Sequence, residues 1–324
     1  MNIKSLLLGS AAALAAFSGA QAADAIVAAE PEPMEYVRVC DAFGTGYFYI
    51  PGTETCLKVG GYVRTQLNYD ERGLIGNSDL QAYTRGYLTF DAKSDTEYGT
   101  LTGFIALQAD TARDAFVDEA YIELGGLRVG YFYNWWDKGI VGETDELGSN
   151  LFNAARYVYD GGAFQAGVAV EELDGEFGTG GAKDNVGVSG IVTGTFGAVS
   201  IDGLASYSFD AEEAAFRALL SAGVGPGTFQ LAAIYATGAS DYYSTAEWTV
   251  AAAYEAKFDK FTITPAAQYF GDVAFVNNVD AWKVGLTVGY QITEGLSALA
   301  TVNYTDIDRA DDFTTGFLRL QRDF

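Results

Sequence analysis

The stretch Leu57–Tyr69, LKVGGYVRTQLNY, alternates between two kinds of side chain. Its odd-numbered positions are mostly apolar, and its even-numbered positions, which include Lys58, Arg64 and Gln66, are mostly polar. A β-strand points successive side chains to opposite faces, so one face of this segment meets an apolar medium and the other meets water. The stretch therefore predicts an amphipathic strand.

This pattern recurs about sixteen times between Leu57 and Phe324, in segments of about ten residues separated by turns. In a soluble sandwich the apolar faces would form a core, whereas in a transmembrane barrel they face lipid and the polar faces line a lumen. A segment of about ten residues crosses a bilayer when tilted. Short turns such as Gly125–Gly126 and longer acidic connections such as Glu172–Asp184 alternate along the chain. We predict an all-β, antiparallel transmembrane barrel of about 16 strands.

The N-terminal region divides into two segments ahead of the barrel segment 57–324. Residues 1–22 are typical of a signal peptide, with Lys4, an apolar run from Leu6 to Phe17, and the small residues Ala20 and Ala22 before the cleavage site. Residues 23–56 are interpreted as a lead-in and a disulfide loop that form a single domain with the barrel. The run Tyr47–Ile50 in this loop is a candidate short strand.

The charge is strongly acidic, with 19 Lys and Arg against 43 Asp and Glu. Removal of the signal leaves 18 basic residues and a net charge of −25. Such a chain repels nucleic acid. The acidic loops are interpreted as solvated surface; the alternative is that divalent cations bridge them to anionic lipid headgroups.

Cys40 and Cys56 are the two cysteines of the chain, and both remain after signal removal. In an oxidising periplasm they can form a disulfide that closes a small loop. Two free buried thiols are the alternative. Metal binding is not expected, because the chain has no histidine to complete a site with two cysteines.

One connection, Asn134–Asn153, differs from the rest and follows the fifth barrel segment, Leu127–Tyr133. It is the third outward loop, and in large diffusion barrels this loop folds into the lumen and narrows it. Its candidate constriction residues carry four acids and one base, and they are Trp135, Trp136, Asp137, Lys138, Glu143, Asp145 and Glu146.

Basic residues fall on the polar parity of the strands. The candidate pore-wall residues are Lys58, Arg64, Arg85, Arg128 and Arg156, and Arg217, Lys283 and Arg319 share their parity. If some of them face the acidic loop, the passage holds a transverse field that favours polar solutes. The alternative is that they pair with inward acids such as Glu119, Glu123 or Glu255. Constriction roles are expected most for Arg64, Arg85 and Arg128.

Catalytic function is not expected from this sequence. Without histidine the chain lacks the usual general base and the commonest metal ligand. Carboxylate pairs such as Asp145-Glu146 lie in loops, and no glycine-rich phosphate loop follows a strand and opens a helix. No cofactor is expected.

Specific motifs add a family resemblance. The segments Glu35–Arg64 and Glu119–Phe132, the stretch ADAIVAAEPEP from Ala23, and the ending LRLQRDF resemble porins of Brucella, rhizobia and related alphaproteobacteria. The terminal Phe324 on an amphipathic strand resembles the signal by which the barrel-insertion machinery recognises outer-membrane barrels. Arg322 replaces the apolar residue usual near that end and can snorkel to the membrane edge.

This resemblance implies a homotrimer of sixteen-stranded barrels in the Gram-negative outer membrane, in contact with lipid and lipopolysaccharide. Each barrel would hold a water-filled pore for passive diffusion of small hydrophilic solutes and ions. The acidic loop and net charge predict a weak cation preference. The alternative function is a sugar-selective channel, which would need a run of aromatic residues at inward parity, whereas most aromatics here are expected to face outward.

Overall fold

The computed structural model describes residues 37–73, 78–111, 113–148, 150–175, 177 and 185–324. The chain divides into two units, Met1–Arg38 and Val39–Phe324, and the second contains all of the strands described here. The predicted signal peptide 1–22, and the lead-in as far as residue 36, lie outside the described residues. Within the described ranges no helix is long and apolar enough to cross a membrane.

Seventeen strands and one 3₁₀ turn, Trp135–Asp137, make up the regular structure of the described residues. The strands are β1 Phe48–Tyr49, β2 Cys56–Asp70, β3 Leu80–Thr96, β4 Gly99–Asp110, β5 Arg113–Leu124, β6 Leu127–Tyr133, β7 Leu151–Asp160, β8 Phe164–Glu172, β9 Val186–Phe196, β10 Val199–Ser208, β11 Glu213–Val224, β12 Gly227–Ala236, β13 Ala246–Phe258, β14 Phe261–Val273, β15 Ala281–Thr293, β16 Leu296–Ile307 and β17 Phe313–Asp323.

Strands β2 to β17 form a closed antiparallel barrel of sixteen strands, as predicted. Each pairs with its neighbours in sequence, and β17 closes the sheet on β2 in a register that runs from Thr315↔Asp70 to Asp323↔Tyr62. Beyond this ladder, the N–H of Phe324 donates to the carbonyl of Gly61 at 3.0 Å, and the N–H of Gly61 donates to the carbonyl of Phe324 at 3.1 Å. Closure leaves no free sheet edge in the barrel.

The two faces of the wall carry the predicted alternation. In β10, Ile201 and Tyr207 are exposed, while Asp202 and Ser206 are buried. Large apolar side chains stay exposed all round the barrel, such as Leu318 at 61%. A continuous apolar belt of this kind is unfavourable in water and favourable in lipid, so the exposed parity is the outer face and the buried parity lines the lumen.

Connections differ between the two ends of the barrel. At one end β3–β4, β5–β6, β9–β10, β11–β12, β13–β14 and β15–β16 are joined by two residues each. Gly125, in the β5–β6 turn, has a φ of 58°, a conformation that glycine adopts without strain. At the other end lies the seventeen-residue connection Asn134–Asn150 between β6 and β7. This connection is hereafter the third loop.

A small hairpin lies at the short-turn end. The predicted disulfide between Cys40 and Cys56 is confirmed, with a Cα–Cα distance of 6.0 Å, and both cysteines are buried beside Tyr47. The candidate strand Tyr47–Ile50 is present as the short β1, which pairs with the start of β2. The hydroxyl of Tyr47 donates to Asp91 on β3, so the hairpin is fixed to the inner wall.

Candidate functional site

The third loop is shorter than the predicted Asn134–Asn153. Residues Leu151–Asn153 belong to β7, because Phe152 pairs with Phe132 and Asn153 with Tyr131 across β6 and β7. The loop base closes where the N–H of Asn134 donates to the carbonyl of Asn150 at 2.9 Å. The side chain of Asn134 also accepts from the N–H of Trp136, which caps the 3₁₀ turn.

One side of the third loop is apolar and packs on the wall. Trp136 and Leu147 are buried at 0% and 1% exposure. They belong to one cluster with the wall residues Leu204, Leu219 and Ile234, which take the buried parity of β10, β11 and β12. Tyr242 and Tyr243, from the connection Thr237–Thr245, complete this cluster. This contact was not predicted from the sequence. The sequence feature that indicates it is the presence of large apolar residues at strand positions that are otherwise polar.

A buried arginine holds the start of the loop. Arg217, only 3% exposed, donates to the carbonyls of Trp135 at 2.6 Å, Trp136 at 3.1 Å and Lys138 at 2.8 Å. Lys138 in turn pairs with Asp202 on β10. Charged donors satisfy buried carbonyls more strongly than neutral ones, so Arg217 fixes the backbone of the loop at this point.

The tip of the loop contacts the next wall sector. Glu143 accepts from Arg319 on β17 at 3.0 Å, and its own N–H donates to Thr287 at 3.0 Å. Its carbonyl accepts from Asn303 at 3.2 Å. Arg319 therefore joins the loop tip to the strand that closes the barrel.

The returning arm of the loop contacts two strands. Glu146 pairs with Lys283 on β15 at 2.7 Å, and its N–H donates to Gln268 on β14 at 2.7 Å. Before the tip, the N–H of Val141 donates to Gln230 on β12 at 2.6 Å. All of these wall residues share the buried parity, so the described loop runs along the inner face from β10 to β17.

Two acids of the loop differ in environment. Asp137 is exposed, whereas Asp145 is half-buried. Burial raises the pKa of Asp145 from 3.8 to about 6, opposed by its own N–H, that of Ile140 and the charge of Lys283; the charge of Glu143 raises it further. Asp145 therefore gains a proton near pH 6.

The predicted basic wall lies mainly on β2, β3, β6 and β7. Arg85 pairs with Asp110 at 2.7 Å and Arg128 with Glu123 at 2.5 Å. Arg64 donates to Gln321 at 2.7 Å. Arg85 and Arg128 therefore pair with acids on their own wall, as in the alternative interpretation of these basic residues.

Two further basic wall residues sit beside aromatic rings. Arg156 lies over Phe132, with Cζ 4.7 Å from the ring centroid. Lys58 lies 5.9 Å from the ring of Tyr47. Of the eight basic residues that the sequence analysis names on inward parity, Arg217, Lys283 and Arg319 hydrogen-bond the loop, rather than Arg64, Arg85 and Arg128.

Inward aromatic residues were underestimated from the sequence. Tyr62 stacks on Tyr87 with centroids 5.0 Å apart, and Phe104 stacks on Tyr121 at 5.0 Å. Phe132 meets Tyr121 edge to face at 5.8 Å. These rings lie on the same face of the wall as Arg64, Arg85 and Arg128. Tyr62 and Arg64 are two positions apart on one strand, so the period of the strand could have placed Tyr62 on the inner face.

The C-terminal residues lie at the short-turn end. Phe324 is 58% exposed on the outer wall. Arg322 donates to the carbonyl of Glu294 in the β15–β16 turn at 3.2 Å, a position in which its charge reaches the edge of the barrel.

A closed sixteen-strand barrel with an apolar outer belt and a polar inner wall is a multi-pass outer-membrane β-barrel. The sequence model described as "Porin subfamily" matches residues 24–318, and the chain belongs to this porin family. The family resemblance expected from the sequence is therefore confirmed, and the protein is an outer-membrane porin.

Relatives from rhizobia and Brucella are similar along their full length. The chain is 54% identical to the putative outer membrane protein y4fJ of Sinorhizobium fredii, with 100% of this chain and 99% of the relative covered. It is 50% identical to outer membrane protein IIIA of Rhizobium leguminosarum bv. viciae, with 98% and 93% covered. It is 34% identical to porin Omp2b of Brucella neotomae, with 100% of both covered.

Solved structures share the fold at low sequence identity. The anion-selective porin from Comamonas acidovorans has a TM-score of 0.69 at 12% identity and covers 84% of this chain and 100% of its own. The trimer form of OmpT from Vibrio cholerae has a TM-score of 0.65 at 13% identity, with 84% and 100% covered. Identities this low establish the architecture of the barrel alone.

The contacts of Arg217 yield a prediction about the third loop. Arg217→Met leaves the carbonyls of Trp135, Trp136 and Lys138 without their donor, at a cost of about 1–3 kcal/mol for each buried group. Amides of the loop should then exchange hydrogen faster, as measured by mass spectrometry. Arg85→Met is the matched control, since Arg85 pairs with Asp110 on its own wall. Equal loop exchange in the two variants would contradict the anchoring role.

Proposed function

We propose that this porin is a general diffusion channel in which the third loop narrows the passage for small hydrophilic solutes and ions. One observation carries the proposal: the described loop contacts run along the inner wall of β10–β17. The wall formed by β2–β7 is then left to line the opening. On one side of this opening lie the predicted constriction residues of the loop, Trp135, Trp136, Asp137, Lys138, Glu143, Asp145 and Glu146, and on the other side lie Arg64, Arg85, Arg128 and Arg156.

Charged side chains lie on both sides of the opening. The loop carries Asp137, Glu143, Asp145 and Glu146 against Lys138. The facing sector carries the four arginines together with the acids Asp110, Asp118, Glu119 and Glu123. A field across the opening orders water and favours polar over apolar solutes, as charged rings do in other channels. The acidic loop, with the net charge of the chain, supports a weak cation preference.

A sugar-selective channel is the second candidate, and the inward aromatic rings are the observation in its favour. The rings, however, are covered by one another and by arginines. Tyr62 stacks on Tyr87 and lies 4.6 Å from Arg64, and Tyr121 stacks on Phe104 and lies 4.0 Å from Arg128. Ring faces used in this way are not free to stack on a sugar, which favours the general channel.

The proposal includes a homotrimer, and the OmpT neighbour from Vibrio cholerae is described in a trimer form. It also includes contact of the outer belt with lipid and lipopolysaccharide, and recognition of Phe324 by the barrel-insertion machinery. The exposed position of Phe324 on the outer wall supports this last point.

Conductance in a planar lipid bilayer tests the channel function. Purified protein should insert in steps with three similar levels, one for each pore of a trimer. A closed-lumen anchor, an adhesin or a barrel enzyme would give no ion current. Absence of conductance from correctly folded protein would refute the channel, and single-level insertions would refute the trimer.

Neutralising the acids of the loop should lower the cation preference. In the variant Asp137→Asn, Glu143→Gln, Asp145→Asn and Glu146→Gln, the opening loses four negative charges and leaves Arg319 and Lys283 without their acids. The reversal potential in a salt gradient should move toward zero or reverse sign. The matched control replaces the four acids Asp306, Asp308, Asp311 and Asp312, near the β16–β17 connection, with Asn. An unchanged reversal potential in the loop variant, or an equal change in both variants, would contradict the proposal.

The pKa of Asp145 predicts a pH dependence. Since burial raises this pKa to about 6, the carboxylate is charged at pH 7 and becomes neutral as the pH falls through 6. The buried charge of Asp145 destabilises the folded protein above pH 6, and this destabilisation is gone below pH 3.8, the ordinary pKa of an aspartate. The cation preference should therefore drop between about pH 7 and 5, and the drop should be absent in Asp145→Asn. An unchanged titration in that variant would exclude Asp145 as its source.

A further inference from the structure

Arg128 and Arg156 lie directly opposite each other on β6 and β7, on the inward parity. Residues in such a pair hold their Cβ atoms about 5 Å apart, and like charges in this position destabilise a sheet. Glu123 compensates Arg128, with an oxygen that accepts at 2.6 Å from Nε. Among the described residues, Arg156 makes no ion pair with a carboxylate. Glu123 and Glu119 attract Arg156 only from a longer distance, so Arg156 is the member of the pair whose guanidinium makes no ion pair with a carboxylate in the described structure.

Aromatic rings hold both guanidinium groups in place. Phe132 is 1% exposed, and its centroid lies 4.7 Å from Cζ of Arg156 and 5.5 Å from Cζ of Arg128. Trp135 lies 5.8 Å from Cζ of Arg156. An arginine that already rests against an aromatic ring loses little further side-chain entropy when it binds a ligand.

Small residues flank Arg128 and Arg156 on the neighbouring wall. Trp135 packs so closely on β8 that a Cβ at Gly167 would lie 2.6 Å from the indole ring, so glycine is required there. Ala169 is the register partner of Arg156 on β8. On the other side Gly130 follows Arg128 at the same parity. No long side chain from these positions competes for the guanidinium.

A cavity of about 510 Å³ is lined by Glu123, Arg128 and Arg156 at the short-turn end of the barrel. Asp160 also lines it, but lies four residues from Arg156 along β7, about 13 Å at the rise of a strand. Asp160 is also engaged by the N–H of Gly162 at 2.8 Å and by Gln165 at 2.9 Å. A cavity of this size accommodates a small solute.

We propose that Arg156 and Arg128 form an anion-binding subsite in the pore, which holds the carboxylate or phosphate group of a small solute on its way through. Planar guanidinium donors fit both groups in bidentate geometry. The subsite lies between the start of the third loop at Trp135 and the short-turn end of the barrel. It is a local feature of the wall and is compatible with a weak cation preference of the whole channel, which reflects all of its charges.

The subsite rests on the proposed channel function and is tested by block of single-channel current. Succinate and inorganic phosphate, as carboxylate and phosphate probes, are added separately in potassium chloride to channels of the wild type, Arg156→Gln and Lys257→Gln. Lys257 is the matched control, since it is an inward base near the same end of the opposite wall and pairs with Glu255 at 3.0 Å. A shift in gel mobility on boiling establishes that each variant is a folded barrel.

At least one probe should block the wild-type current in a saturable manner. Arg156→Gln should raise the half-blocking concentration about tenfold, as expected for the loss of charge-assisted hydrogen bonds. Lys257→Gln should leave it within about twofold. Block by one probe alone identifies the group that the subsite takes.

Three outcomes would overturn the inference. Full conductance without block by either probe refutes the subsite and leaves the channel function intact. Equal block of the wild type and Arg156→Gln, or equal weakening in both variants, shows that Arg156 has no specific role. Absence of all conductance refutes the channel, and the subsite with it.

Discussion

The requirement that every backbone polar group be paired inside lipid determines this structure. Strand β17 pairs with β2, and Phe324 extends this ladder to Gly61, so the sheet has no free edge in the barrel. Once the sheet is closed, the period of a strand assigns each side chain either to lipid or to the lumen. The exposed apolar belt and the polar interior of the barrel both follow from this assignment.

Closure also gives the chain an interior that is too wide for its wall side chains to fill, and two sectors of that interior are used differently. On β10–β12 the inward parity carries Leu204, Leu219 and Ile234, which form an apolar seat for Trp136 and Leu147. Arg217 fixes the same part of the loop through its carbonyls. On β2–β7 the inward parity carries arginines and aromatic rings that are engaged with each other. The difference between the sectors is the physical basis of the proposed one-sided opening.

The barrel could be predicted from the sequence because each strand carries its own pattern of alternating apolar and polar residues. Alternation in Leu57–Tyr69 assigns faces without any knowledge of the other strands, and the disulfide of Cys40 and Cys56 required only two cysteines and an oxidising compartment. The end of the third loop could not be placed in this way, since Leu151–Asn153 become strand only by pairing with β6. The partners of the loop were also out of reach. Parity shows that Arg64 and Arg319 both point inward, but which of them meets Glu143 depends on the path that the loop takes across the wall.

In the proposed channel the third loop, seated on β10–β17, sets the width of the passage. Entry of neutral solutes of graded size into liposomes tests it directly, when the wild type is compared with a variant in which Asp137–Leu147 is replaced by a short Gly and Ser linker. The variant should admit larger solutes than the wild type, while small solutes should enter through both. The same size limit in the two proteins would contradict it.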